Sequence, residues 1–188
     1  MRFSALEQMR RYGVLREDIT TALKFSQRLA EFDTAIFPDD PCALQMTRNG
    51  GLTGCAQYVT MPGNGEMYVL YVEHVTERLR AQAARLIAEH AHQATVGEDE
   101  AFRLITDAIA LHEVRHRLQE HRGPSLERWV PFDLDAKDEL AVMAMLTNLA
   151  PEKRTPREVD ALIVEFLYVT ARLSGHDDFA EAVRREPR

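Results

Sequence analysis

The stretch from Asp99 to His121, "DEAFRLITDAIALHEVRHRLQEH", holds no glycine and no proline and ends at the breaker "RGP". A run of this kind folds as one long helix, with its acidic start at the positive end of the helix dipole. Phe102, Ile105, Ala108 and Ile109 recur at helical spacing and define an inward stripe. Continuing that stripe by three and four residues leads to His112 and His116. The spacing therefore predicts two imidazoles stacked on the buried side, with Glu113 one step round the helix. Two nitrogen ligands four residues apart, beside a carboxylate that can activate a bound water, is what one helix can offer a tetrahedral zinc. The competing reading is a pair of polar histidines near a helix C-terminus, where they also suit the dipole.

The surrounding chain predicts an α+β protein. "REDITTALKFSQRLAEF" predicts a helix over about 17–32, preceded by a short one over 4–12 that stops near Gly13. "CALQMT", "LTGCAQYVT" and "EMYVLYVE" then follow, separated by "RNGG" and "PGNG". Short β-rich runs bounded by Asn-Gly clusters are hairpin signals, so a three-stranded antiparallel meander is expected over about 41–73. The last run, "MYVLYV", is apolar almost throughout, which predicts burial on both faces. Further helices are expected over about 76–95, 99–121, 135–149 and 156–174, with a loop carrying Trp129 at 123–133 and a polar, loose tail from about 175. A chain of 188 residues with 45% apolar and 28% charged side chains suits a single domain over 1–188.

Charge and cysteine usage narrow the partners. The formal net charge is -7, opposite in sign to what a nucleic-acid or anionic-membrane surface favours. Cys42 and Cys55 form no disulfide framework and read as small buried hydrophobes. The N-terminus lacks the apolar run of a signal peptide, and no window approaches a membrane span. The expected compartment is the cytoplasm, and the expected partner a peptide or protein rather than nucleic acid or membrane.

A two-iron reading fails on geometry. Glu113-x-x-His116 and Glu89-x-x-His92 both have the spacing of a carboxylate-bridged iron site. On an antiparallel helix pair turning near Gly97, the two motifs fall roughly 20 Å apart. One zinc needs only a third protein ligand and an open position for water. The downstream candidates are Glu120, His121, Glu139, Glu158, Glu165 and His176. Glu120 and His121 are too close along the same helix to close a tetrahedron easily. Gln119 and Arg122 stand where a metzincin has glycine and histidine, which removes that subclass. Glu165 lies in the apolar run "ALIVEFLYV", where a lone carboxylate wants a cation. Glu158 completes a capping box with Thr155 and Pro156. These properties leave Glu158 and Glu165 equally eligible.

"HEVRHRLQ" followed by "PREVDALIVEF" resembles the gluzincin branch of HExxH zinc metallopeptidases, in its compact bacterial and phage-associated form, over roughly Thr53 to Tyr168. The resemblance implies a small zincin-like fold, one Zn2+ per chain, His112, His116 and Glu158 as ligands and Glu113 as general base. Ala161 matches the small residue that follows the ligand glutamate in that branch. Leu162 departs from it, since many such helices carry Asp or Asn there, and Asp160 is the candidate substitute. The resemblance also implies that an edge strand, "GCAQYV" or "MYVLYV", pairs with an extended peptide. Tyr58, Tyr168 and His176 are candidate donors to a tetrahedral intermediate. Arg115 and Gln119 read as groups behind the ligands or on the surface, Arg115 able to pair with a carboxylate and Gln119 to bond a loop, though spacing fixes neither role. The alternative function is a catalytically weak or inactive metal-binding module acting in protein interaction or regulation, and a latent enzyme covered by its first helix or tail is a variant of it.

Overall fold

Asp18 shows how the first long helix is used. The computed structural model of the chain describes residues 9–48, 54–63, 65–90, 96–122, 155–173 and 175. Helix α1, Arg16–Ile36, opens with Glu17 and Asp18 in its first turn. Instead of facing solvent, the Asp18 carboxylate accepts the backbone N–H groups of His74 at 3.1 Å and Thr76 at 2.9 Å. It thereby caps the start of a different helix, α2, Val75–His90, whose first N–H groups have no partner within their own helix. Thr76 Oγ1 lies 2.9 Å from Thr21 Oγ1 and closes the same corner.

Three strands follow α1: β1, Ala43–Thr47; β2, Ala56–Met61; and β3, Gly65–Tyr71. The expected antiparallel meander is not what forms. The sheet is mixed, in the order β1-β3-β2, with β1 parallel and β2 antiparallel to β3. A meander would have placed β2 in the centre. On one face Ala56 and Tyr58 are buried, and on the other Gln57 is exposed, the pattern of a strand with one covered face. The nearly continuous apolar run of β3 suits the central place, which it takes. β1 and β2, the strands flanking "RNGG", do not pair with each other, so the hairpin expected between them is absent from the sheet. "PGNG" does turn β2 into β3, with Gly63 and Gly65 at φ of +79° and +77°, a region that favours glycine.

Helix α3, Glu98–Arg122, and helix α4, Pro156–Leu173, complete the described architecture. The helix expected over 135–149, the loop around Trp129, most of the segment 1–12 and nearly all of the tail lie outside the described residues. Phe25 and Leu29 of α1, Leu70 of β3, Leu79 of α2, Leu111 and Val114 of α3 and Val164 of α4 build one core. No helix among the described residues is long and apolar enough to cross a membrane. Cys42 and Cys55 are free thiols just ahead of β1 and β2. Burial pushes both up to about 11, so they stay protonated at neutral pH.

Helix α3 runs through the middle and packs against α1, α2, α4 and β2. That explains a feature the hydrophobic stripe did not predict: Asp107, Glu113, Arg115, Arg117 and Gln119 are all buried. Each has a partner on another element. Asp107 accepts Arg28 of α1 at 2.6 and 2.8 Å and the Tyr168 hydroxyl of α4 at 2.9 Å. Arg117, 1% exposed, bonds Asp33 of α1 at 2.9 and 3.0 Å, Glu66 of β3 at 2.9 Å and Asp40 at 2.7 Å. Its guanidinium also covers the Phe37 ring, 4.1 Å from the centroid. Asp33 in turn receives the Tyr68 hydroxyl at 2.6 Å and the Cys42 N–H at 3.0 Å. Removing one partner of such a buried pair strands the other charge. Arg117→Leu is expected to cost about 3–5 kcal/mol of folding stability, read by urea unfolding.

Candidate metal centre

Three side chains converge where α3 crosses α4. His112 Nε2 and His116 Nε2 lie 3.1 Å apart, with the rings near perpendicular at 84°. Glu158, in the first turn of α4, brings Oε1 to 3.4 Å from His116 Nε2 and Oε2 to 3.7 Å from His112 Nε2. His112, His116 and Glu158 are the one group of this kind among the described residues. The Thr155 half of the expected capping box forms, its Oγ1 accepting the Glu158 N–H at 3.3 Å.

These spacings can be compared with a metal's needs. Zinc with nitrogen and oxygen ligands at about 2.0–2.1 Å sets neighbouring ligand atoms about 3.3–3.4 Å apart on a tetrahedron. The observed 3.1, 3.4 and 3.7 Å bracket that edge. The donor set of two imidazoles and one carboxylate also suits zinc, so the residues fit the ion.

Glu165, equal to Glu158 on sequence, takes a different place. Its Oε2 lies 3.2 Å from Nδ1 of His112, the nitrogen on the far side of the ring from the cluster. The approach is an ion-pair distance but off line for a hydrogen bond. Burial alone lowers the pKa of His112; the carboxylates of Glu165, Glu113 and Glu158 outweigh it and hold the imidazole above its ordinary value.

Glu113 is 6% exposed and accepts the backbone N–H of Tyr58 at 2.6 Å. Cys55 and Tyr71 form a bonded pair through Tyr71 N–H, so by antiparallel alternation Ala56, Tyr58 and Thr60 turn their backbone groups away from β3. The helix carrying the histidines therefore lies against the outer edge of β2. Between that edge and α4 runs a cleft of about 630 Å3, lined by Ala56, Tyr58, His112, Glu113, Glu158 and Glu165 among others.

The other sequence candidates are engaged elsewhere. Glu120 pairs with Arg157 at 3.1 Å and His121 with Glu66 at 2.9 Å, both away from the cluster. Glu139, His176 and His92 lie outside the described residues. The Tyr168 hydroxyl is buried against Asp107, and burial with that carboxylate pushes its pKa up. The Tyr58 hydroxyl is buried on the side of Glu66. Arg115 does pair with a carboxylate: it grips Asp160 with two bonds of 2.7 and 2.8 Å. Among the described residues Gln119 bonds no loop. It bridges His116 to Asp160 and to the backbone carbonyl of Arg157 in the first turn of α4. The sequence placed Gln119 behind the ligands or on the surface without naming its partners; three residues after His116, it stands on the same face. Compared with known protein families, curated proteins and solved structures, the chain matches none.

Two outcomes follow from the placement of the glutamates. Glu158→Ala is expected to weaken zinc binding beyond the roughly 10–100-fold that an outer partner is worth, and Glu165→Ala to stay within that range; competition with a chelator of known affinity reads both. Because the raised pKa of His112 keeps a proton on the ring to higher pH, zinc must displace that proton. Affinity is therefore expected to fall as pH drops toward 6.5. Zinc uptake near neutral pH should release a proton, measurable by calorimetry in buffers of different ionisation enthalpy, and Glu165→Ala should reduce the release.

Proposed function

We propose that this chain is a zinc-dependent peptidase of the gluzincin kind, acting on an extended peptide or protein segment. The observation that carries the reading is the convergence of His112 Nε2, His116 Nε2 and the two oxygens of the Glu158 carboxylate at 3.1–3.7 Å. Support comes also from the carboxylate of Glu113 beside them and the outer strand edge along the cleft.

His112, His116 and Glu158 would hold the ion. When bound, zinc supplies a water of lowered pKa and a Lewis acid for the scissile carbonyl. Glu113 is the general base: its carboxylate takes the proton of the attacking water and delivers it to the leaving amine. The Tyr58 N–H fixes one oxygen of that carboxylate, leaving the other for the proton. The outward backbone groups of Ala56 and Thr60 offer an extended peptide main-chain bonds on either side of Tyr58. Low exposure of Glu113 and Tyr58 strengthens the bond between them.

A peptide library incubated with zinc-loaded protein tests the reading. Glu113→Gln is expected to lower cleavage by about 10²–10⁴-fold with zinc content unchanged. Cleavage that survives this substitution would remove Glu113 from the mechanism. Stoichiometric zinc without cleavage by the wild-type chain would favour a metal-holding module without peptidase activity.

A further inference from the structure

A histidine that binds a metal through Nε2 must carry its proton on Nδ1, and something must hold it there. For His116 that nitrogen faces Gln119 Oε1 at 3.0 Å. An amide alone cannot decide a tautomer, since its two ends offer opposite chemistry. The surroundings of Gln119 decide it. Its nitrogen end meets Asp160 Oδ2 at 2.5 Å and the Arg157 carbonyl at 2.9 Å. A carbonyl and a carboxylate can only accept, so the NH2 group belongs there and the oxygen belongs at His116. Arg157 Nε, 3.4 Å from Gln119 Oε1, donates to the same oxygen. Asp160 is held as an acceptor by the two bonds from Arg115, both groups being almost fully buried. Gln119 itself is 4% exposed, so water does not compete for either end.

We propose that Gln119 is a positioning residue: it fixes His116 as the Nδ1–H tautomer with the Nε2 lone pair turned toward His112 and Glu158, and so sets the metal affinity of the site. The inference rests on the zinc reading for its consequence but not for its geometry. Orientation runs in one direction: Arg115 fixes Asp160, Asp160 with the Arg157 carbonyl fixes the amide, and the amide fixes the imidazole. Among the described residues His112 has no such amide; the charge of Glu165 stands behind its ring.

The test combines two measurements on the whole chain. Nitrogen-15 NMR of the histidine rings, on chelator-treated protein, reads the His116 tautomer without any metal. Zinc affinity by chelator competition reads the consequence. The wild-type chain is expected to show His116 protonated at Nδ1. Gln119→Met, which matches the side-chain length, is expected to lose that preference and to bind zinc about 10–100-fold more weakly, with unchanged circular dichroism. Gln119→Glu keeps an acceptor at His116 and should retain the tautomer. Wild-type His116 protonated at Nε2 overturns the proposal. So does a Gln119→Met chain that keeps both the tautomer and the affinity, while leaving the zinc reading standing. Failure of the wild-type chain to take up zinc would remove the zinc reading and the affinity claim together, and the tautomer would still be decided by the spectrum.

Discussion

The Arg115–Asp160 pair holds the two halves of the site in register. Arg115 lies on α3 between the two histidines, and Asp160 lies on α4 two residues after Glu158. Two parallel bonds between planar groups define both distance and angle. A buried pair of this kind is a weak source of net stability, because desolvating both charges offsets most of their attraction. Its effect is better described as selection. Sliding α4 along α3 by one turn would strand both charges, and the same slide would carry Glu158 away from His112 and His116. The pair penalises the arrangements in which the three donor atoms do not meet.

His112, Arg115, His116 and Gln119 stand at positions i, i+3, i+4 and i+7, so they form one stripe along α3 facing α4. Seen this way, the histidine pair belongs to a longer polar seam. Asp107 and Arg117 continue the same logic toward α1 and the sheet. A helix surrounded on all sides would ordinarily be apolar all round. Here the charges are tolerated because each meets an opposite charge or a hydrogen-bond partner from a different element.

Much of the local structure was legible because it depends on neighbours in the chain. Gly97 and the "RGP" breaker bracket a helix expected over 99–121 and found at Glu98–Arg122; Thr155 and Pro156 start another as expected. Strand order was not legible. "RNGG" and "PGNG" carry the same turn chemistry, yet only the strands flanking the second pair with each other, because the apolar β3 takes the place between two neighbours and β1 pairs with its other edge in parallel. The partners of buried charges were hidden for a related reason. Periodicity says which way Arg117 points, but Asp33 and Glu66 are distant in sequence and brought together by the fold. Glu158 and Glu165 were inseparable because seven residues return a helix to nearly the same face. What separates them is which imidazole nitrogen each one meets, and that depends on how α4 crosses α3.

The contact between Glu113 and the Tyr58 N–H joins the chemistry to the sheet. An outer strand offers a peptide every second residue's N–H and carbonyl, and along β2 these belong to Ala56, Tyr58 and Thr60. Because Glu113 already occupies the middle donor, a peptide laid along this edge meets its ladder bonds on either side and a carboxylate between them. On the proposed reading that gap is where a peptide bond should lie, since a backbone amide there is closest to the general base and to the histidine pair one step round the helix. The edge that would bind the chain thus also sets which of its bonds faces Glu113, and main-chain pairing does this without reading any side chain.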